Sequence, residues 1–465
     1  MDYLSDDTIC ALATAPGGAM SIIRVSGRHA IPIADALFAP AAGHRLCDSR
    51  SHTAHYGHLH DHSDHPIDDV VATVMRAPHS YTGDDTVEIS CHGSRYIIRL
   101  ILQALIEGGC RQALPGEFTQ RAFLNGKLDL SQAEAVADLI SATNSGTHKM
   151  ALSQLRGNFS NELSHLREEL LRLTSLLELE LDFSDHEDLE FADRGELLQI
   201  AQSTERRISQ LEQSFATGNA LRQGIAVAIV GKTNVGKSTL LNRLLHDDKA
   251  IVSDIHGTTR DVIEDTTQIH GITFRFIDTA GLRATTDTVE QMGIERTYKK
   301  LDEATIVLWL TDTPPTTEEA QEMAKRSEGK KLIAIVNKSD LSATTYDPTS
   351  AFPHHEGEEP VPVLRISAKH DADLSQLEEA LYQAAAIPEV TENDVIVTNV
   401  RHYDALVKAH TDINAVIFGL ESGLSGDLLS EDLRSAIDHL SAIVGGTITP
   451  DETLGNIFAH FCVGK

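Results

Sequence analysis

Apolar positions change their spacing several times along the chain, and each change marks a different kind of element. In residues 1–127 short apolar runs dominate: Ile9 to Ala13, Met20 to Val25, Val70 to Met75 and Thr86 to Ser90. Pro16-Gly17-Gly18 separates the first two as a turn, so these runs predict strands. Between and after them, His29 to Phe38 and Ser94 to Gly108 carry helical spacing, the second with Tyr96, Ile97, Leu100, Ile101, Ala104 and Leu105 on one side. The reading is a mixed α+β domain.

From 128 to 222 the spacing becomes helical throughout. Ser131-Gln132-Ala133-Glu134 matches a capping box. Leu163, Leu166, Leu170, Leu173, Leu177 and Leu181 then recur at steps of three and four, giving one helix face that the acidic run Asp182 to Asp188 ends. A further helical run covers Gly195 to Ala216. Residues 223–386 return to short buried-type runs: Ile225 to Val230, Phe274 to Ile277, Thr305 to Leu310, Leu332 to Val336 and Val363 to Ile366. After 387 helices resume, near Tyr403 to Phe418 and Ser430 to Val444. Thr449-Pro450-Asp451-Glu452 supplies N-cap, N1 proline and N3 glutamate for one more. The expected architecture is therefore multidomain α/β: an N-terminal α+β domain (1–127), a discontinuous helical bundle (128–222 and 387–465), and an inserted nucleotide domain (223–386). Insertion is easy because domain termini tend to lie close together.

Length and composition fit this. A chain of 465 residues is too long for one core. The formal net charge of -30 argues against a broad nucleic-acid-coating surface, so any RNA contact is local or supplied by a basic partner. Five cysteines without a C-x-x-C pair suit a reduced, cytoplasmic compartment. No run of 18 apolar residues and no apolar leader is present. Seven histidines between His44 and His65 follow no metal-ligand spacing and read as a polar, His-rich loop. Cys91-His92 cannot cooperate on a continuing strand, where neighbours face opposite ways.

The most specific chemistry is Gly231-Lys232-Thr233-Asn234-Val235-Gly236-Lys237-Ser238, which fits G-x-x-x-x-G-K-[ST] between a strand and a helix that opens with Thr239. Its glycines let successive N–H groups turn inward on phosphate oxygens. Lys237 adds a charge, and Ser238 offers a hydroxyl to Mg²⁺. Downstream, Thr259 in Gly257-Thr258-Thr259-Arg260-Asp261 can complete the Mg²⁺ shell. Asp278-Thr279-Ala280-Gly281 can hold a magnesium water and sense a γ-phosphate. Asn337-Lys338-Ser339-Asp340 and Ser367-Ala368-Lys369 complete the set. Asp340 chooses the base: a carboxylate only accepts hydrogen bonds, and guanine presents N1–H and its 2-amino group together. GTP is thus the expected nucleotide. Leu282 stands where many small GTPases place a water-orienting Gln, so another residue must do this; Asp287 and Glu290 are candidates.

With these motifs, the run Pro115 to Leu130 and the ending Phe461-Cys462-Val463-Gly464-Lys465, the chain resembles the tRNA-modification GTPase MnmE (TrmE) family. The resemblance implies a homodimer joined through folate-binding N-terminal domains. It implies work in a heterotetramer with the flavoprotein MnmG (GidA), adding an aminomethyl-type (carboxymethylaminomethyl) group at C5 of the tRNA wobble uridine. The one-carbon unit comes from tetrahydrofolate as its 5,10-methylene or 5-formyl derivative. It further implies activation by K⁺ held at Asn234, Ser253, Ile255 and Thr258, with Asp254 and His256 in the same GTP-lining loop, and Glu290 orienting water. Folate contacts map to Arg24, Glu88, Lys127 and Lys465, with Glu88 suited to the pterin's donor edge. Cys462 reads as a nucleophile, or as a buried residue packing with Phe458 and Phe461. The alternative function is a regulatory switch in ribosome assembly.

Overall fold

The structure is a computed structural model. It describes residues 7–182, 194–232, 234–246, 265–277, 302–313, 315–340, 361–368, 371–388, 391, 393–446, 454, 457–459, 461 and 464. Two compact units emerge, one of residues 1–141, 151–208 and 404–465, the other of 142–150 and 209–403.

The first unit begins with β1 (Ile9–Leu12), β2 (Met20–Ser26), α1 (Ala30–Ala36), β3 (Phe38–Pro40), β4 (Thr53–His60), β5 (Pro66–Met75), β6 (Thr86–His92), α2 (Arg95–Glu107), β7 (Arg111–Gln112) and α3 (Glu117–Leu124). The strands form one sheet in the order β3-β4-β5-β6-β2-β1-β7, antiparallel except for β1 with β7. Period-two alternation explains its faces. Cys10, Ile23, Val25, Ala72, Val74, Val87 and Ile89 point to one core with Ile31 of α1 and Ile101 and Leu105 of α2. Ile9 and Ala11 point the other way, against Ala113 and Phe118 with Tyr81 alongside. Arg24 and Glu88 share that second face.

Several expected details change. The helix over His29 to Phe38 stops at Ala36, and Phe38 starts an edge strand. The His-rich stretch is a loop only in part: His44, His52, His62 and His65 lie outside strands. His55, His58 and His60 lie on β4, paired with β5, because Tyr56, Gly57 and Leu59 interleave with them and Leu59 is buried. On α2 the buried positions are Ile98, Ile101, Ala104 and Leu105, while Tyr96 is exposed.

The helical segments are α4 (Leu130–Ser141), α5 (Ser145–Leu155), α6 (Asn158–Asp182) and α7 (Arg194–Gln223). The capping box at the start of α4 sits two residues earlier than expected. Asp129 Oδ1 accepts from Gln132 N at 2.9 Å, and Gln132 Oε1 accepts from Asp129 N at 3.0 Å. Ser131 instead bonds Asp129 Oδ1 and Ser160 Oγ. Leu163, Leu166, Leu170, Leu173 and Leu177 are buried, as their spacing requires.

The second unit is built on β8 (Ile225–Gly231), α8 (Lys237–His246), β9 (Asp265–Ile269), β10 (Ile272–Phe276), β11 (Ile306–Thr311), α9 (Thr317–Arg326), β12 (Lys331–Val336), β13 (Val363–Arg365) and α10 (Asp371–Ala385). The sheet order is β13-β12-β11-β8-β10-β9, parallel except for the β9–β10 hairpin. Every predicted buried run becomes one of its strands; only β9, whose alternation is weak, was not foreseen. Val227, Leu308, Leu310, Ile333 and Ile335 line the main core.

The chain ends through α11 (Val400–Glu421) and α12 (Gly426–Val444). Helices α7 and α11 are neighbours: within the first unit His410 bonds Glu205 at 3.0 Å, and within the second Phe215 stacks on Tyr403 at 4.4 Å. Among the described residues no helix is long and apolar enough to cross a membrane.

Candidate functional site: a nucleotide cradle and a paired-charge face

The cradle lies where β8 meets α8. At Gly231 an added Cβ would stand 2.3 Å from the Leu310 carbonyl oxygen, so the strand end can approach β11 only without a side chain. Gly236 adopts φ +103, and its Cβ would meet Asn337 Nδ2 at 2.3 Å. Asn234 also takes a left-handed φ of +60, a conformation that asparagine tolerates better than most residues. Together these turns deliver the chain into the first turn of α8, which opens with Lys237, Ser238 and Thr239. The N–H groups there, and the helix dipole, suit an anion. Lys237 Nζ donates to the Gly231 and Lys232 carbonyls at 2.6 and 2.7 Å, holding the ammonium against the loop. Burial pushes its pKa down from the ordinary lysine value.

Asn337 ties this loop to the segment Ser367–Ala368 and to its own. Its Nδ2 donates to Val235 O at 2.8 Å, and its Oδ1 accepts from Ala368 N at 3.1 Å. Lys338 has φ +61 and bonds Asp312 at 3.0 Å. Ser367 Oγ donates to Asp340 Oδ1 at 2.9 Å, and Ser367 N donates to Asp373 at 2.6 Å. The structure therefore brings together Asn234, Val235, Gly236, Lys237, Ser238, Thr239, Asn337, Lys338, Asp340, Ser367 and Ala368. Asp312 and Asp373 were not foreseen, since each acts on a motif residue from outside its motif. Thr233, the loop Ser253 to Thr259, Asp278 to Gly281, Asp287, Glu290 and Lys369 lie outside the described residues.

The second constellation is on the sheet of the first unit. Arg24 on β2 and Glu88 on β6 are directly opposed in the register. Arg24 Nε and Nη2 both reach Glu88 Oε1, at 2.9 and 2.8 Å. The guanidinium stands 5.3 Å from the Tyr81 ring centre and 5.5 Å from that of Phe118, within cation–π range of both. Tyr81 Oη pairs with Thr119 Oγ1 at 2.9 Å, and burial pushes its pKa up. Tyr81 gave no sequence signal, and Phe118 stood in the Pro115 to Leu130 run without a role.

Glu117 secures this wall. Its side chain is 6% exposed, binds Arg111 through both oxygens, reaches Arg121, and accepts from Leu114 N. Burial raises its pKa, but Arg111, the Leu114 N–H and Arg121 outweigh that and hold it below the ordinary glutamate value. Lys127 is exposed, its Nζ donating to Pro78 O at 3.0 Å. Gly116 has φ +68, and a Cβ there would lie 2.8 Å from Phe458 O. A Cβ on Gly464 would lie 2.1 Å from Leu12 O. The segment carrying Phe458, Phe461 and Gly464 thus lies against β1 and the turn before α3; Cys462 and Lys465 lie outside the described residues.

Cys91 faces the core and burial pushes its thiol to about 11, while His92 is exposed and bonds Asp68 at 2.8 Å. The two diverge as alternation requires. Of the β4 histidines, His58 bonds Asp69 at 2.6 Å and His60 approaches Asp64 at 3.7 Å, while His55 bonds Thr53 Oγ1 at 2.8 Å. Among the described residues no group of three or more His, Cys, Asp or Glu could hold a metal ion.

Comparison with known proteins agrees with this architecture. The family described as "GTP-binding protein TrmE N-terminus" matches residues 8–127, and that described as "MnmE helical domain" matches 130–462. A tRNA modification GTPase MnmE from Parabacteroides distasonis is 55% identical over 98% of this chain and 100% of its own. Proteins of the same description from Bacteroides fragilis and Phocaeicola vulgatus are 54% and 52% identical, covering 99% and 100% of this chain and the whole of theirs.

Proposed function

The chain belongs to the MnmE family of tRNA modification GTPases, and from that premise we propose that it couples GTP hydrolysis to a one-carbon modification at C5 of the tRNA wobble uridine. GTP sits over the cradle with its guanine edge on Asp340. Mg²⁺ is held by Ser238 and Thr259, and K⁺ by Asn234, Ser253, Ile255 and Thr258. Glu290 orients the attacking water. The domains divide at 127, 222 and 386, and the protein works in the cytoplasm as a homodimer with the flavoprotein MnmG, whose surface supplies the basic charge that a chain of net charge -30 lacks. Membership of a tRNA-modifying family disfavours the ribosome-assembly switch.

The observation that carries the finer part is the Arg24–Glu88 pair. Both of its contacts fall on Oε1 of the glutamate. A ligand edge with two adjacent donors can therefore engage Oε2 without breaking the pair. The pterin of a tetrahydrofolate has that edge, and the Tyr81 and Phe118 rings supply flat apolar neighbours. The described residues fit such a cofactor: Glu88 takes the pterin edge, Arg24 fixes Glu88, and Lys127 serves the anionic tail, a role that the resemblance also gives to Lys465. When bound, tetrahydrofolate supplies the one-carbon unit. Cys462 lies two residues before Gly464, whose close approach to the Leu12 carbonyl of β1 supports a chemical role for the cysteine near this face.

Titration calorimetry with 5-formyl-tetrahydrofolate tests the proposal. The wild-type chain is expected to bind, and Glu88→Gln to bind about 10- to 100-fold more weakly, because an amide donor then faces a donor edge. Absence of heat with the wild type would end the folate reading while leaving the GTPase untouched.

A further inference from the structure

The β9–β10 hairpin occupies a special place in the chain. β9 begins four residues after the Gly257-Thr258-Thr259-Arg260-Asp261 motif, and β10 ends two residues before Asp278. The two segments that can respond to a γ-phosphate are thus joined to the two ends of one paired hairpin. β10 is also hydrogen-bonded to β8, the strand that feeds the cradle.

A short corner from the helical segment grips this hairpin. Asn144 Nδ2 donates to Thr273 Oγ1 on β10 at 2.8 Å, and Gln268 Nε2 on β9 donates to the Thr143 carbonyl. A Cβ on Gly271 at the tip would sit 3.4 Å from Ser145 Cβ, and one on Gly146 would sit 3.6 Å from the Gly271 carbonyl. Asn144 is 7% exposed, and its Oδ1 caps α5 by accepting from Thr147 N at 2.8 Å. One turn later Met150 is buried with Ile269 and Ile272 of the same hairpin. The corner therefore holds both strands and the tip, by polar bonds at its start and apolar packing at its end. Helix α5 starts at Ser145, inside the nucleotide unit, and runs on to Leu155, beyond the division at residue 150.

We propose that this corner, residues 143–146 with Met150, is the contact that carries the nucleotide state from the β9–β10 hairpin into α5, with Asn144 as its positioning residue. A single amide that caps α5 and bonds β10 makes the helix start follow the strand. The inference rests on the nucleotide cradle and not on the folate face. Contact alone does not establish coupling, so the test must measure a response.

Hydrogen exchange on the full-length protein with GDP and with a non-hydrolysable GTP analogue supplies it. Two variants separate coupling from folding: Asn144→Ser, which keeps a good N-cap but is too short to reach β10, and Thr273→Val, which keeps strand preference and volume. In the wild type, exchange of the α5 amides is expected to change at least about threefold between nucleotides, along with the β9–β10 amides. In either variant the hairpin change persists and the α5 change is lost, with GTP turnover within about twofold of wild type. A wild-type α5 that ignores the nucleotide, or variants whose α5 still responds, would overturn the proposal. So would loss of the response in both elements, which would make the corner a structural prop.

Discussion

The two polar sites differ in how they are built. The nucleotide cradle is made mostly of backbone, set by Gly231, Asn234 and Gly236 within six residues. The Arg24–Glu88 face is made of side chains brought together by strand pairing across 64 residues. A backbone site demands particular conformations at fixed spacing, so it tolerates no Cβ where two segments touch. A side-chain site demands that a sheet keep its register and that neighbours from other elements fix its charges, here Tyr81 and Phe118 around Arg24.

Gly236→Ala strikes the backbone-built site most directly. The new Cβ would meet Asn337 Nδ2 at 2.3 Å in a left-handed conformation, disturbing the strut to Val235 as well. Expected is a loss of GTP affinity of about 100-fold or more, consistent with a few kcal/mol of strain, read by fluorescence titration with a labelled guanine nucleotide. Near-normal affinity would mean the cradle does not depend on that close approach.

Next comes Glu117→Ala, which leaves Arg111 and Arg121 without their shared carboxylate. Arg111 is only half-buried and keeps Asp7, so the loss is that of hydrogen bonds to a buried carboxylate, about 1–3 kcal/mol; chemical denaturation of the first unit should shift by roughly that amount while GTP affinity stays normal. The pH dependence follows in sign. Because the folded pKa of Glu117 lies below the unfolded one, its contribution is present above the ordinary glutamate value of about 4.3. It is lost as pH falls through the lower folded value. Glu117→Gln should flatten that acidic limb. An unchanged slope would remove the glutamate from the account.

The smallest effect is expected at Lys232. Its Nζ bonds Glu319 at 2.7 Å, but the lysine side chain is 80% exposed. Such pairs contribute little. Lys232→Ala should change GTP affinity by less than about twofold, and a larger loss would mean that the cradle draws on side chains after all.

The same contrast explains what could be read from the chain. The P-loop, the strands of the nucleotide sheet and the leucine face of α6 were legible because each is a local periodicity or a fixed-spacing motif. Asn337 was legible as a motif residue, but its bond to Val235, 102 residues away, was not. The Ser131 capping box was misplaced because Asp129 competes for the same role and reaches Gln132. From sequence β4 reads as a loop because its histidines hide an alternation that only Leu59 and Gly57 reveal. Tyr81 and Phe118 could not be assigned to Arg24 without the sheet register, since a guanidinium finds its rings through tertiary packing alone.

The pairing of α7 with α11 has one more consequence. Through these helices the peptide departs toward the GTP-binding core and comes back along neighbouring backbones, with Glu205 touching His410 on the outgoing and returning strands of chain. A host entered through such a doorway asks its guest chiefly for two adjacent ends, and this guest in addition takes in residues 142–150, with Met150 in its core. Another folded cassette with closely spaced termini could be spliced in at the same place, and the first unit would still close around its own first strand through Gly464.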